Sequence, residues 1–134
     1  MNVPILIAAC ISLLGLLAHF FVGSKETASL KPEKGDQEIE SGDKRLINWK
    51  QSMCAFQLVT VDLIGVTVAL FLISLTDILP FEYELTLIIA TLFLLWGVAW
   101  LVQLIILKAK ASSYTALPQW VFFFSCSGLL FWGA

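Results

Sequence analysis

The basic residues of this chain are confined to two segments, and this distribution constrains its folding more than any other feature. Six of the eight Lys and Arg lie within residues 25–50, and the other two are Lys108 and Lys110. Most of the remaining chain consists of long apolar runs. A run of about 20 apolar residues is long enough to cross the ~30 Å hydrocarbon core of a bilayer. The sequence therefore predicts an all-α integral membrane protein.

The apolar runs predict a single transmembrane domain that covers residues 1–134. Charged residues make up 13% of the chain, whereas soluble domains carry about 25%. No Lys or Arg precedes Lys25. A cleaved signal peptide begins with a basic segment, so we expect the first run to be retained as a helix. The predicted spans are residues 3–22, 53–76, 85–107 and 115–134.

The segment between the first two spans differs in composition from the rest of the chain. Residues 24–42 are polar, carry both charges and contain Pro32, which predicts a mobile loop. Gly23 is expected to end the first helix, because glycine is common at that position. Asp43 is expected to begin a short amphipathic turn that lies at the membrane surface and runs into the second span.

The charges outside the spans predict the orientation of the chain. Residues 76–84, between the second and third spans, hold three acids and no base. Cytoplasmic loops collect Lys and Arg, and short translocated loops avoid them. We therefore expect both basic segments to be cytoplasmic and the N- and C-termini to lie outside.

Small and polar side chains recur at three- and four-residue spacing in each predicted span. Membrane helices associate through close packing of such residues, because lipid tails are as apolar as leucine. The pattern predicts an antiparallel four-helix bundle with one packing seam per helix. In this arrangement Ser12 would lie beside Asp62, and His19 beside Ala55. The predicted packing residues are Ala8, Gly15, Gly65, Ala69, Gly97 and Gly128.

Asp62 is the only charged residue in the second span. Placing a carboxylate at the centre of a membrane helix costs at least about 2.5–3.5 kcal/mol, so such a residue faces a bundle interior or a wet cavity. One interpretation is a site that exchanges a proton or binds a cation. The other is a protonated or paired Asp that hydrogen-bonds to Ser12 or to the backbone of a neighbouring helix.

A polar layer is predicted towards the cytoplasmic surface, where interhelical hydrogen bonds or headgroup contacts would be formed by His19, Gln57, Gln103 and Gln119. His19 is the only histidine in the chain, so a metal site would lack further histidine ligands. The three cysteines lie in apolar runs without a Cys-x-x-Cys pair, which favours an apolar packing role over thiol chemistry. No catalytic residue, metal or cofactor is predicted.

Residues 56–63, Phe-Gln-Leu-Val-Thr-Val-Asp-Leu, and residues 118–120, Pro-Gln-Trp, resemble a group of small uncharacterised bacterial four-helix inner-membrane proteins. The resemblance implies a bacterial-type inner membrane and no known activity. Small multidrug resistance transporters have a similar length but place a Glu in the first span, where this chain has His19 and no acid. Membrane-associated eicosanoid and glutathione enzymes share the outside N-terminus and the large first cytoplasmic loop. Their second-helix motif contains Arg and Asn, which Arg45 and Asn48 match loosely, but this chain lacks the Glu that the family places beside the Arg.

Together these features predict a non-enzymatic interaction or accessory protein in the lipid bilayer. It would be a homo-oligomer or part of a larger membrane-protein complex, with no nucleic-acid partner. The alternative is a small proton- or cation-coupled carrier or pore that uses Asp62. An enzyme for lipophilic substrates is less favoured, because no nucleophile–base pair or metal-ligand set is evident.

Overall fold

The structure is a computed structural model that describes residues 1–32 and 44–134. Every regular element within these two ranges is helical, which confirms the predicted all-α class. The elements are α1 (Val3–Ala18), a π-helical turn (His19–Gly23), α2 (Ser24–Ser29), α3 (Lys44–Leu75), α4 (Glu82–Ile106), α5 (Ala111–Ala116) and α6 (Gln119–Gly133).

Three helical stretches of the described chain are long and apolar enough to cross a membrane. They are Val3–Ser29, Lys44–Leu75 and Glu82–Ile106, with 27, 32 and 25 residues. At a rise of about 1.5 Å per residue, each is longer than the ~30 Å hydrocarbon core of a bilayer. These lengths and compositions are consistent with a multi-pass membrane protein.

The last predicted span, residues 115–134, is not one continuous helix. Leu117 leaves the helical region with a φ of −120°, and α6 begins only after Pro118. Proline disfavours the helical conformation in the residue before it, which accounts for the break. With 15 residues, α6 is about 22 Å long, so it is shorter than the three long helices.

The first helix continues beyond Gly23, where it was predicted to end. Gly23 has a helical φ of −60°, and the chain passes through it into α2. A Cβ atom at this position would lie 2.9 Å from Cζ of Phe56, so the glycine permits the close approach of α3. The predicted loop at residues 24–42 is therefore wrong for Ser24–Ser29. Residues 33–43, including the predicted helix start at Asp43, lie outside the described residues.

Trp49 ties α2 to the beginning of α3. Its Nε1–H donates to the carbonyl oxygen of Thr27 over 3.0 Å. The ammonium of Lys31 lies 5.7 Å from the centroid of the Trp49 ring, within the range of a cation–π interaction. The described residues of the predicted amphipathic turn, which was expected to run into the second span, are the first turns of the continuous helix α3.

The helices α1 and α3 are antiparallel neighbours, as predicted. Near one end, the backbone N–H of Asn2 donates to the carbonyl oxygen of Ser74 over 3.2 Å. Near the other, Nε2 of His19 lies 3.2 Å from the carbonyl oxygen of Phe56. Residue numbers therefore fall along α3 as they rise along α1, and His19 is within one residue of its predicted level.

The buried face of α3 is not the predicted one. Its buried polar residues are Thr60, Thr67 and Ser74, and their seven-residue spacing is typical of a helix-packing seam. The hydroxyl oxygen of Ser12 lies 2.8 Å from that of Thr67, whereas the predicted neighbour, Asp62, lies on the exposed face. Hydropathy does not distinguish these faces, because lipid and protein surroundings are both apolar.

A single hydrophobic core joins α1, α3, α4 and α6. The helix α1 packs on α3 and α6, and α4 packs on α6. The hydroxyl of Ser127 in α6 donates to the carbonyl oxygen of Ala90 in α4 over 2.9 Å, which requires close helix approach. The buried core residues are Ile5, Ala8, Ala9, Leu70, Ile73, Ile89, Ala90, Phe93, Cys126 and Leu130.

Two glycines of the predicted packing set receive phenylalanine rings from α6. A Cβ atom at Gly15 would lie 2.7 Å from Cε2 of Phe122, and one at Gly97 would lie 2.9 Å from Cε1 of Phe124. Carbon atoms in ordinary contact are about 3.5–4.0 Å apart. The missing side chains therefore create the space that these two rings occupy.

The other four predicted packing residues divide between the inside and the surface of the chain. Ala8 is fully buried and Ala69 is half-buried. Gly65 and Gly128 are exposed, and no heavy atom of the described structure lies within 4 Å of where their Cβ atoms would be. Neither glycine contacts another helix of the described chain, because both lie on helix faces that turn away from the core.

Candidate interaction site on α3

Asp62 lies near the middle of α3 on the side opposite the core. It follows Lys50 by 12 residues and precedes the end of the helix at Leu75 by 13 residues. These separations correspond to about 18 Å and about 20 Å along the helix axis. If α3 crosses a bilayer, the Asp62 carboxylate is therefore close to the midplane, where charge is most costly.

The carboxylate of Asp62 makes no hydrogen bond and no ion pair with any residue in the described part of the chain. The residue is exposed, although its neighbours along the helix are apolar. An unpaired carboxylate facing hydrocarbon costs at least about 2.5–3.5 kcal/mol. The single chain therefore leaves one energetically unfavourable group on its surface.

Asp62 belongs to a continuous exposed surface, which we call the α3 face. This face consists of Leu58, Val61, Asp62, Gly65 and Val68. Gly65 follows Asp62 by three residues, which places both on the same side of the helix. Gly65 has no side chain, and a Cβ atom placed there would meet no atom outside its own helix backbone within 4 Å. The glycine therefore leaves a notch in the helix surface beside the carboxylate. A second helix is able to approach the α3 backbone closely there.

Ser12, the second polar residue predicted near Asp62, is fully buried and has a different partner. Its hydroxyl is 2.8 Å from that of Thr67, five residues further along α3 than Asp62. Both hydroxyls are therefore satisfied within the core, since each donates or accepts in this pair. Ser12 does not contribute to the α3 face.

His19 packs between the first helical stretch and α3, where it contacts Phe56. Its ring stacks on Phe56 with a centroid separation of 3.8 Å and an angle of 8° between the planes. Its Nε2 lies within hydrogen-bonding distance of the Phe56 carbonyl oxygen. Gln57 and Gln103 are exposed and make no hydrogen bond within the described ranges. No hydrogen bond joins these residues within the described ranges, and the polar layer itself stays a prediction.

A small open cleft lies at the end of the bundle where α1, α4 and α6 meet. It has a volume of about 200 Å³ and includes Asn2, Glu82, Thr86 and Gly133 in its lining. One carboxylate oxygen of Glu82 is buried without a hydrogen-bond partner among the described residues. Sequence patterns did not indicate this cleft, because its lining comes from both ends and from the middle of the chain.

The described side chains offer no preformed metal centre. Within residues 1–32 and 44–134, no three His, Cys, Asp or Glu side chains are grouped so that they could hold a metal ion. The candidate site of the described chain is therefore the exposed carboxylate of Asp62 and not a cluster of polar side chains.

Comparison with protein families, curated proteins and solved structures finds no match to this chain. Its function is therefore argued from the geometry of its own residues.

Proposed function

We propose that this chain is a small non-enzymatic accessory protein of a bacterial-type inner membrane that associates with another membrane-embedded protein, or with its own copies, through the α3 face. The observation that carries the proposal is the exposed Asp62 midway along an apolar helix, whose carboxylate has no partner in the described part of the chain. Lipid cannot hydrogen-bond to a carboxylate, so contact with protein removes a penalty that the isolated chain retains.

The proposed membrane arrangement is an antiparallel four-helix bundle in which α6 supplies the fourth crossing. Two contacts support it. The side-chain amide of Asn2 donates to the carbonyl oxygen of Gly133 over 2.6 Å, and the backbone N–H of Asn2 donates to Ser74. The first and last helices therefore meet at the same end, as an even number of crossings requires. The short α6 would reach the outer surface at this end, where local bilayer thinning accommodates the mismatch.

The proposed orientation places this end outside the cytoplasm. The acidic segment at residues 76–84 lies near it, and the described basic residues of the segment 25–50, together with Lys108 and Lys110, lie towards the opposite end of the long helices. The excess of Lys and Arg on the cytoplasmic side of inner-membrane proteins favours this orientation.

Site-specific photo-crosslinking tests the α3 face as an interaction surface. A photoreactive amino acid is placed at Val61, which is 65% exposed on α3, and separately at Leu95, which is 58% exposed on α4. We expect the Val61 probe to form a discrete protein adduct in native membranes and the Leu95 probe to form lipid adducts only. Lipid adducts alone at both positions would contradict the proposal.

Flux measurements on reconstituted protein separate accessory function from transport by Asp62. Reconstituted wild-type protein is compared with Asp62→Asn, because the amide keeps the shape of the carboxylate but does not titrate. We expect no proton or cation flux above that of protein-free vesicles. Flux in the wild type that Asn abolishes would support the carrier alternative instead.

A further inference from the structure

We infer that the partner of the α3 face is a membrane-spanning helix of another protein that carries Lys or Arg near the bilayer midplane. This inference rests on the proposed function and names the chemistry of the partner. The exposed carboxylate of Asp62 has no counter-charge within the described chain. A base at the same depth would neutralise it, because an ion pair in a region of low dielectric is much stronger than one in water.

A second copy of this chain does not supply such a base. All eight Lys and Arg lie outside the long apolar runs. The one histidine, His19, is level with Phe56 of α3, which is six residues, or about 9 Å, from the depth of Asp62. Two copies that met through their α3 faces would bring two carboxylates together, and like charges at close range repel each other.

The shape of the face fits an α-helix. Gly65 leaves a notch on the same side as Asp62, and small residues of this kind let two helix backbones approach closely. The exposed apolar side chains of Leu58, Val61 and Val68 lie around Asp62 and Gly65. They would pack against the partner helix and exclude lipid around the ion pair.

The test uses the full chain in phosphatidylcholine vesicles with designed peptides of about 23 residues, long enough to span the bilayer. The peptides are Leu/Ala helices with Trp anchors and neutral polar ends, and they differ only at the central residue, which is Lys, Leu or Asp. Binding is measured by energy transfer between labels on peptide and protein. We expect the central-Lys peptide to bind about tenfold more tightly, which corresponds to about 1.4 kcal/mol.

Two variants make the result specific to Asp62. In Asp62→Asn the preference for Lys should disappear, while the affinity for the central-Leu peptide stays the same. In Asp62→Lys the preference should reverse, so that a peptide with a central Asp binds more tightly than one with a central Lys. Equal binding of the Lys and Leu peptides to wild-type protein, or a Lys preference that survives Asp62→Asn, would overturn the inference.

Other outcomes separate failure of this inference from failure of the proposed function. If both peptides bind equally and Gly65→Leu blocks both, the α3 face is an interaction surface without recognition of a base. If labelled copies of the chain associate through this face and exclude the Lys peptide, the occupant is a second copy. Both results overturn the inference and preserve the proposed function. If no peptide or copy binds and the Val61 photo-probe forms only lipid adducts, both fail.

Discussion

Replacing Gly15 by Leu and Gly65 by Leu should have opposite effects on the folding stability of this chain. Both glycines lie within long apolar helices, and sequence spacing alone predicts the same packing role for both. A Cβ atom at Gly15 would lie 2.7 Å from Phe122, whereas one at Gly65 meets no heavy atom within 4 Å. The two substitutions therefore add the same four carbon atoms to a filled space and to an open one.

The expected magnitudes follow from these distances. Phe122 would have to retreat by about 1 Å to reach a normal carbon–carbon contact with the new Cβ atom. Its ring is held by Phe93, with centroids 5.8 Å apart, and by Phe123, with centroids 5.2 Å apart. Overpacking of this kind costs about 1–3 kcal/mol. The higher helix propensity of Leu offsets about 0.8–1 kcal/mol of that cost at Gly15.

At Gly65 the helix-propensity gain of about 0.8–1 kcal/mol has no packing cost to oppose it within the chain. The Gly65→Leu variant should therefore be as stable as wild type or slightly more stable. Gly15→Leu should be less stable than wild type by about 2 kcal/mol, towards the upper end of the overpacking range because of the added bulk. The difference between the variants should be about 3 kcal/mol.

Equilibrium unfolding in mixed micelles measures both values. The detergent sodium dodecyl sulfate is titrated into folded protein, and helix content and tryptophan fluorescence report the transition. Gly15→Ala and Gly65→Ala serve as smaller matched substitutions and should show the same order. Equal stability losses for the two Leu variants, or a larger loss for Gly65→Leu, would refute the placement of the α3 face on the outside of the chain.

Two further predictions concern the core and the topology. Ser12→Ala and Thr67→Val should each destabilise the fold, and a double-mutant cycle in the same assay should give a coupling of about 0.6 kcal/mol; no coupling would contradict the 2.8 Å contact between their hydroxyls. With the native cysteines replaced, a cysteine at Ser29 or Ser113 should resist a membrane-impermeant thiol reagent in intact cells, whereas one at Glu82 should react. Labelling at Ser29 would reverse the proposed orientation.

The sequence was sufficient to predict the helical class and the three long apolar helices. Both follow from one-dimensional properties, namely the length of the apolar runs and the confinement of Lys and Arg to two segments outside them. The antiparallel pairing of α1 and α3 was also predictable, because consecutive helices that each cross a membrane run in opposite directions. His19 lies beside Phe56, one residue from its predicted level.

The sequence was not sufficient to predict where helix ends and local contacts fall. Glycine is common after helices, but Gly23 remains helical because the Phe56 ring approaches it too closely for a side chain. The break in the helix before Pro118 could have been predicted from the sequence, because proline disfavours the helical conformation of the residue before it. Glu82 and Asn2 share a cleft only because α1 and α4 begin at the same end of the fold.

What the sequence by itself determined is which segments are apolar, and tertiary structure alone decided which side of each segment faces the core. The predicted seam of α3 ran through Asp62 and Gly65, while the actual seam runs through Thr60, Thr67 and Ser74. Both stripes satisfy helical spacing. In water, burial of apolar surface would select one of them, but lipid and protein interior solvate apolar side chains alike. The choice therefore depends on shape complementarity between helices, which no single segment specifies.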